Sequence, residues 1–206
     1  MKTEQIMKSL TPIEAAREAQ ALESALLKRG VYPVHLEARL SDFERLPKER
    51  PGFISGPVGS GKTYMAVAYL ADVITRALAL PNEQHQADRA VGRIGFTRAV
   101  DLMMALRASF KNNDGGPEAV IWQFSRYQFL VIDDLGTERD TPLVAEALYS
   151  ILDYRGGHRL STLITSNFKL SIIASQYGDY GERLASRIAG MGRGLELKGK
   201  DKRWQN

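Results

Sequence analysis

Residues 56–63 read Gly56-Pro57-Val58-Gly59-Ser60-Gly61-Lys62-Thr63 and set the class of fold. The stretch matches the phosphate-loop pattern G-x-x-x-x-G-K-[ST] at every fixed position. Its glycines allow backbone N–H groups to turn inward around phosphates without a side-chain clash. In this pattern the lysine reaches the β- and γ-phosphates of ATP, and the threonine hydroxyl is a ligand of Mg²⁺. We therefore predict that ATP and Mg²⁺ are bound by Gly56, Pro57, Val58, Gly59, Ser60, Gly61, Lys62, Thr63 and Tyr64.

Short apolar runs alternate with helical stretches along the chain from residue 51 onward. Such alternation is typical of a parallel sheet that is covered by helices on both faces. In these sheets the nucleotide lies at the carboxyl ends of the strands. The sequence thus predicts an α/β fold, a P-loop NTPase sheet flanked by helices. The predicted strands are Phe53–Ile54, Ile94–Phe96, Phe129–Ile132, Leu163–Thr165 and, more weakly, Leu195–Leu197.

Two acids, Asp133 and Asp134, directly follow the apolar run Phe129–Ile132. A buried strand that ends in carboxylates delivers them to the nucleotide. We expect Asp133 to bind the Mg²⁺ shell, as the corresponding acid does in P-loop ATPases. Asp134 lies where a general base would polarise the attacking water. The alternative is a strand that simply ends in a polar turn, but the phosphate loop favours the functional interpretation.

Polar or basic residues in two later segments are further candidates. Asn167 follows the fourth strand and is placed to orient water or contact the γ-phosphate; the alternative is an asparagine that satisfies a turn. Arg183 and Arg187 are four residues apart, so both lie on one face of a helix. Exposed arginines are usually only solvated, and the functional alternative is an arginine finger that reaches the γ-phosphate of a neighbouring subunit.

The first 50 residues are polar and helix-prone, and we predict a helical N-terminal extension over residues 1–50 and an ATPase domain over residues 51–206. A helix is expected from Pro12, with Thr11 as its N-cap and Gly30 as its stop. One interpretation is that this helix docks on the main domain, and the other is that it binds a partner protein. Its expected apolar stripe consists of Ile13, Ala16, Ala19, Leu22, Leu26 and Leu27.

Composition excludes several classes of chemistry. The 206 residues include no cysteine, so disulfides, thiolate zinc sites and cysteine nucleophiles are absent. Three scattered histidines suggest no metal beyond the Mg²⁺ of the nucleotide. The net charge of +4 is compatible with nucleic acid but does not demand it. The sequence shows no signal peptide or membrane span, and we expect a cytoplasmic protein with no membrane association.

Taken in order, the motifs GPVGSGKT, VIDDLG, TSN, GERLASR and GKDKR resemble the DnaC/IstB family of AAA+ ATPases. The resemblance covers roughly residues 50–204. It implies an AAA+ fold in which Asp133 and Asp134 form the Walker B motif and Asn167 is sensor 1. It further implies that Arg187 is the arginine finger with Arg183 beside it, and that Arg203 is the sensor 2 position.

The segment Thr97–Phe110 also resembles the family, whose helicase loaders carry a helical segment there that faces single-stranded DNA. By composition it is an amphipathic helix with basic residues that can meet phosphates. The alternative is that its apolar residues belong to the core and its basic residues are only solvated. The basic residues are Arg98, Arg107 and Lys111, and the apolar ones are Leu102, Met103 and Leu106.

Two function hypotheses follow from the resemblance. The first is an ATP-dependent helicase loader that assembles as a homo-oligomer, binds single-stranded DNA and delivers a replicative helicase. The second is an IstB-like transposition helper that binds duplex DNA and stimulates a transposase. The short N-terminal extension departs from both patterns, as does the short stretch between residue 43 and the phosphate loop, where a helix near the adenine is usual. A module that has lost hydrolysis is disfavoured because the motif residues are all present, and a metabolic kinase lacks an evident acceptor pocket.

Overall fold

The computed structural model describes residues 12–47, 49–79, 90–111, 115–137 and 141–198. The strands are β1 Phe53–Ser55, β2 Ile94–Arg98, β3 Phe129–Leu135, β4 Ser161–Ser166 and β5 Gly194–Glu196. The α-helices with defined bounds are α1 Pro12–Leu27, α2 Lys62–Leu78, α3 Ala99–Ser109, α4 Gly116–Arg126, α5 Pro142–Gly157, α6 Leu170–Gln176 and α7 Gly181–Gly190. Short 3-10 helices span Pro33–His35, Leu40–Asp42 and Gly178–Tyr180. Within these ranges, no helix combines the length and the apolar character that crossing a bilayer requires.

The five strands form one parallel sheet in the order β2-β3-β4-β1-β5. All five strands predicted from the sequence are therefore confirmed, with β5 beginning one residue earlier than expected. Several boundaries differ from the prediction: β3 and β4 are longer than expected, and Thr97 and Arg98 complete β2, so that the following helix starts at Ala99. These two residues extend the β2 ladder opposite Ile132 and Asp133, which favours the strand over an earlier helix start.

Alternating side chains of the strands supply two separate cores, one on each face of the sheet. On one face, Ile54, Val131 and Leu163 pack against α1 and α2. On the other face, the neighbouring residues Leu130 and Ile164 pack against α3, α5, α6 and α7. Both faces of the sheet are thus covered, as parallel sheets require. Polar side chains therefore lie at the edge of the sheet that is formed by the carboxyl ends of the strands.

Helix α1 packs on the main body of the protein, which supports the docking interpretation of the N-terminal segment. It starts at Pro12, as predicted, and buries Leu22, Ala25 and Leu26 in the core that it shares with α2. The expected apolar stripe was partly wrong. Its exposed members are Ala16, Ala19 and Leu27, and the side chain of Ile13 lies outside the described residues. The division at residue 50 stays a prediction, as does the N-cap at Thr11, which lies outside the described residues.

Arg155 of α5 is completely buried at the opposite, amino edge of the sheet. Its guanidinium donates to the carbonyl oxygens of Phe124 at 3.1 Å and Tyr127 at 2.6 Å, at the end of α4. It also donates to Thr162 Oγ1 at 2.9 Å and to the Ser161 carbonyl oxygen at 2.6 Å, at the start of β4. Burial lowers its pKa to about 10. One side chain therefore satisfies carbonyls that the end of a helix leaves unpaired and ties α4 and α5 to β4.

Replacing Arg155 by methionine should destabilise the fold, because several buried carbonyl oxygens would lose their donor. We expect a loss of at least about 2 kcal/mol in the free energy of unfolding, measured by urea denaturation. The matched control is Arg107→Met on the exposed face of α3, which should change the free energy of unfolding by less than about 0.5 kcal/mol. Equal stability of the two variants would contradict the role assigned to Arg155.

Candidate active site

The phosphate loop connects β1 to α2 and is shaped by glycines. Gly59 and Gly61 have φ angles of 75° and 90°, in the left-handed region that side chains disfavour. Gly61 is the N-cap of α2, so the positive end of that helix points at the loop. Lys62 is the first residue of the helix; its side chain is buried, and its Nζ donates to the Pro57 carbonyl oxygen at 2.8 Å. The loop thus brings the ammonium group of Lys62 and the positive end of α2 together in one turn.

A polar atom within the loop indicates that it is built for an anion. Ser60 Oγ is buried, and within the described part of the chain it has no hydrogen-bond partner. A phosphate oxygen would supply the missing acceptor. At the start of the loop, a Cβ added to Gly56 would lie 2.5 Å from the Leu197 carbonyl oxygen, at the end of β5. The loop is therefore packed closely on its protein side and leaves its unsatisfied hydroxyl for a ligand.

Asp133 is buried at the end of β3 and is held by two hydroxyl groups. Thr63 Oγ1 lies 3.1 Å from each of its carboxylate oxygens, and Thr165 Oγ1 donates to Oδ1 at 2.6 Å. Burial raises the pKa of Asp133, the two hydroxyl hydrogen bonds lower it, and the charge of Asp134 raises it. A bound cation would favour the ionised form. A carboxylate beside a threonine hydroxyl offers the oxygen ligands that Mg²⁺ prefers, so the residues fit this ion.

Asp133 and Asp134 occupy a β-bulge. Ile132 pairs with Ile164 and Leu135 pairs with Ser166, so two residues of β3 oppose the single residue Thr165 of β4. Asp134 has a φ angle of 61°, which is uncommon for a residue other than glycine. The bulge turns consecutive acids toward one edge, where regular pleating would send them to opposite faces.

The hydroxyl of Thr165 and the side chain of Asn167 hold this bulge in place. Asp134 N donates to Thr165 Oγ1 at 2.8 Å, and that hydroxyl itself donates to Asp133. Asn167 Nδ2 donates to Asp134 Oδ1 at 2.9 Å. The structure therefore brings together the predicted residues Lys62, Thr63, Asp133, Asp134 and Asn167. Thr165 is an addition, since the sequence showed only a polar strand end there and gave no sign of the bulge.

His35 is a second residue that sequence reasoning missed. It lies on a 3-10 helix before β1, with its ring 6.4 Å from the ring of Tyr64 in an edge-on arrangement. Its Nδ1 is buried and has no hydrogen-bond partner among the described residues. Burial lowers the pKa of His35, and the charge of Asp133 raises it. Tyr64 Oη also donates to Asp42 Oδ2 at 2.8 Å, so the segment around residues 32–43 lies against the start of α2. A lone histidine in a polar stretch carries no signal of this placement.

The remaining predicted residues lie elsewhere or outside the description. Arg183 and Arg187 are exposed on α7. Arg187 Nη2 lies 2.6 Å from Asp153 Oδ1, and its guanidinium carbon lies 6.0 Å from the centroid of the Tyr149 ring; both partners belong to α5. Neither arginine takes part in the hydrogen bonds that join the phosphate loop to the ends of β3 and β4. Arg203 lies outside the described residues.

Helix α3 divides its residues between core and surface. Leu102, Met103 and Leu106 are buried, as the core interpretation expects. Arg98 pairs with Asp101 through contacts of 2.6 and 2.7 Å and also donates to Tyr32 Oη, so it is already engaged. The exposed basic residues of the segment are Arg107 and Lys111.

A phosphate loop after β1, an acid pair at the end of β3 and a polar residue at the end of β4, in a parallel sheet of this order, define an ATPase of the P-loop AAA+ class. Nucleotide binding at the carboxyl edge follows from this arrangement. The chain belongs to the family of IstB-like ATP binding proteins, whose model matches residues 48–205. The family resemblance drawn from the motifs is thereby confirmed.

Known proteins similar to this chain include replication proteins. The replicative helicase loader DnaC of Escherichia coli strain K12 is 20% identical over 171 residues, which are 83% of this chain and 59% of DnaC. The crystal structure of the DnaC helicase loader superimposes with a TM-score of 0.58 at 24% identity, covering 81% of this chain and 100% of that chain. The crystal structure of DnaI gives a TM-score of 0.61 at 22% identity, covering 81% and 94%. The chain thus spans 59% of the length of the curated relative, and the structural likeness establishes the AAA+ fold.

Replacing Thr165 by valine should impair hydrolysis because Asp133 loses one hydroxyl donor and the Asp134 N–H loses its acceptor. We expect ATP turnover to fall at least about tenfold and the free energy of unfolding to fall by about 1–3 kcal/mol. The matched control is Thr97→Val at the end of β2, where the buried hydroxyl donates only to the Arg98 carbonyl oxygen at 3.1 Å. Phosphate release and urea denaturation measure both effects. Turnover in Thr165→Val equal to that of the control would show that the bulge does not need this hydroxyl.

Proposed function

We propose that this protein is an ATP-dependent helicase loader that binds single-stranded DNA and delivers a replicative helicase to it. The observation that carries the proposal is the group of ATPase side chains Lys62, Thr63, Asp133, Asp134 and Asn167, in a chain of which 83% aligns with the helicase loader DnaC.

In this proposal the chain's own residues position the nucleotide and the attacking water. Lys62 binds the β- and γ-phosphates, and Thr63 and Asp133 hold Mg²⁺, which neutralises negative charge on the phosphates when it is bound. Asp134 accepts a proton from the attacking water. Asn167 restrains Asp134 through its 2.9 Å hydrogen bond and reports whether a γ-phosphate is present. The ATP and ADP states then differ in affinity for partners, which is what a switch requires.

The arginine pair on α7 completes the site of a neighbouring subunit. Arg187 is exposed, is not bonded to the nucleotide groups of its own chain, and is oriented by Asp153 at 2.6 Å. An arginine presented this way on a surface suits a finger that stabilises charge on a neighbour's γ-phosphate. We therefore propose an ATP-dependent homo-oligomer in which Arg187 acts in trans and Arg183 lies beside it.

The exposed face of α3 is the proposed contact for single-stranded DNA. Val100, Met104 and Arg107 follow the spacing of a single helix face, and Lys111 continues that spacing two residues after the helix ends. Val100 and Met104 are 40% and 61% exposed, and the two basic residues are exposed as well. Apolar and basic side chains in one stripe suit bases and phosphates, respectively.

The second candidate is a transposition helper that binds duplex DNA and stimulates a transposase. It is favoured by the family match, because the matching family is described as IstB-like and the match covers residues 48–205. The two functions share the ATPase site. They differ in the form of DNA that the ATP-bound protein prefers.

DNA binding tests the proposal directly. We expect the protein with a nonhydrolysable ATP analogue to bind a labelled single strand at least about tenfold more tightly than the matching duplex, and to lose that preference with ADP. Fluorescence anisotropy at several salt concentrations separates this preference from general attraction to phosphates. Tighter binding of the duplex in the ATP state would favour the transposition helper. Addition of a purified replicative helicase then tests delivery.

Mixing two inactive variants tests whether Arg187 acts in trans. Arg187→Ala should retain ATP binding but lose DNA-stimulated hydrolysis, by about a thousandfold if it acts as a finger. Lys62→Ala should lose its own site but still present Arg187. A mixture of the two should regain phosphate release, since each Lys62→Ala subunit completes its neighbour's site. Arg193→Ala, an exposed control, should be unaffected. Normal hydrolysis by Arg187→Ala alone would move the assignment to Arg183.

A further inference from the structure

The amino edge of the sheet carries an open cleft of about 710 Å³, on the side of the protein opposite to the nucleotide edge. Residues directly before three strands form one wall, namely Arg93 before β2, Gln128 before β3 and Leu160 before β4. The C-terminal ends of α4 and α5 form the other wall, including Arg126 and His158. Parallel strands begin at the same edge, so all of these residues meet there. The ATPase mechanism uses none of them.

Among the residues that the structure describes, the lining of the cleft is basic and contains no carboxylate. Arg93, Arg126 and His158 are exposed, and Gln128 adds an exposed amide. Beneath them lies the completely buried guanidinium of Arg155, whose described acceptors are all neutral oxygens. Cations near the ends of α4 and α5 partly offset the negative ends of those helices. That effect does not explain Arg93, which precedes a strand.

Aromatic rings form a continuous series beside this charge. The rings of Tyr154 and His158 are stacked with their centroids 3.9 Å apart. The ring of Trp122 meets Tyr154 edge-on at 5.6 Å, and the guanidinium carbon of Arg126 lies 5.0 Å from the Trp122 centroid. Trp122 is 51% exposed, and the His158 side chain is exposed too. Exposed rings and cations thus lie side by side on this surface.

We propose that this cleft, lined by Arg93, Arg126 and His158 beside Trp122, is a second binding site for single-stranded nucleic acid. The arginines bind phosphates, and the exposed rings of His158 and Trp122 stack on bases. An acidic peptide would use the cations alone and leave the aromatic series without a role. The cleft is lined by no residue of α3, and its chemistry does not depend on helicase delivery.

The test is the binding of a labelled oligothymidylate to the full chain by fluorescence anisotropy across a salt series. The double variant Arg93→Gln/Arg126→Gln removes two phosphate contacts. The negative slope of log affinity against log salt should therefore become shallower by about 1.4. His158→Ala should weaken binding roughly tenfold through lost stacking, whereas His158→Phe should retain the affinity. The control Arg17→Gln/Arg45→Gln makes the same charge change at two exposed positions outside the cleft and should leave the slope nearly unchanged.

Other outcomes overturn the proposal in distinguishable ways. If only Arg107→Gln/Lys111→Gln on α3 weakens binding, the single strand binds at α3 alone, and the proposed function survives without the second site. If polyglutamate binds through Arg93 and Arg126 while oligothymidylate does not, the cleft takes an acidic protein. If His158→Phe loses as much affinity as His158→Ala, the proposed stacking of the residue-158 ring on a base is contradicted. Unchanged ATP turnover and thermal unfolding in all cleft variants establish that the fold is intact.

Discussion

A single hydroxyl group, that of Thr165, joins the two acids on which the ATPase site depends. It donates to the carboxylate of Asp133 at 2.6 Å and accepts from the backbone N–H of Asp134 at 2.8 Å. These two bonds lie where the bulge in β3 interrupts the regular pairing with β4. The bond to Asp133 stabilises a carboxylate that is buried, and the bulge turns Asp134 toward Asn167. The bulge is the one irregularity in the described pairing of β3 with β4, and it positions the two acids for the chemistry.

The sequence predicted the fold well because its signals are local. A phosphate loop between a short apolar run and a helix, and four further apolar runs at suitable spacing, correspond to the five strands. The acid pair, Asn167 and the lysine could be placed because parallel strands bring their carboxyl ends to one edge. The partial error in α1, where Ala16 and Ala19 are exposed, arose because a thin stripe on one helix does not show how far the partner helix extends.

What the sequence could not provide depends on contacts between distant segments. The bulge is a difference in register between β3 and β4, and register is invisible in either strand alone. His35 is brought toward the carboxyl edge by a segment whose path is set by packing on Tyr64. The basic and aromatic cleft draws its residues from the starts of three strands and the ends of two helices. Its members are too scattered along the chain to form a motif.

The contact between β1 and β5 has a consequence for how the protein is made. Leu197 N donates to the Ser55 carbonyl oxygen at 2.7 Å, and the Leu197 carbonyl oxygen packs against Gly56 at the entrance of the phosphate loop. A ribosome synthesises β5 after all the other described strands. The loop therefore lacks its contact with Leu197 until that residue has been synthesised and has emerged from the ribosome. The backbone that closes the entrance of the phosphate loop is thus the last part of the described sheet to be added.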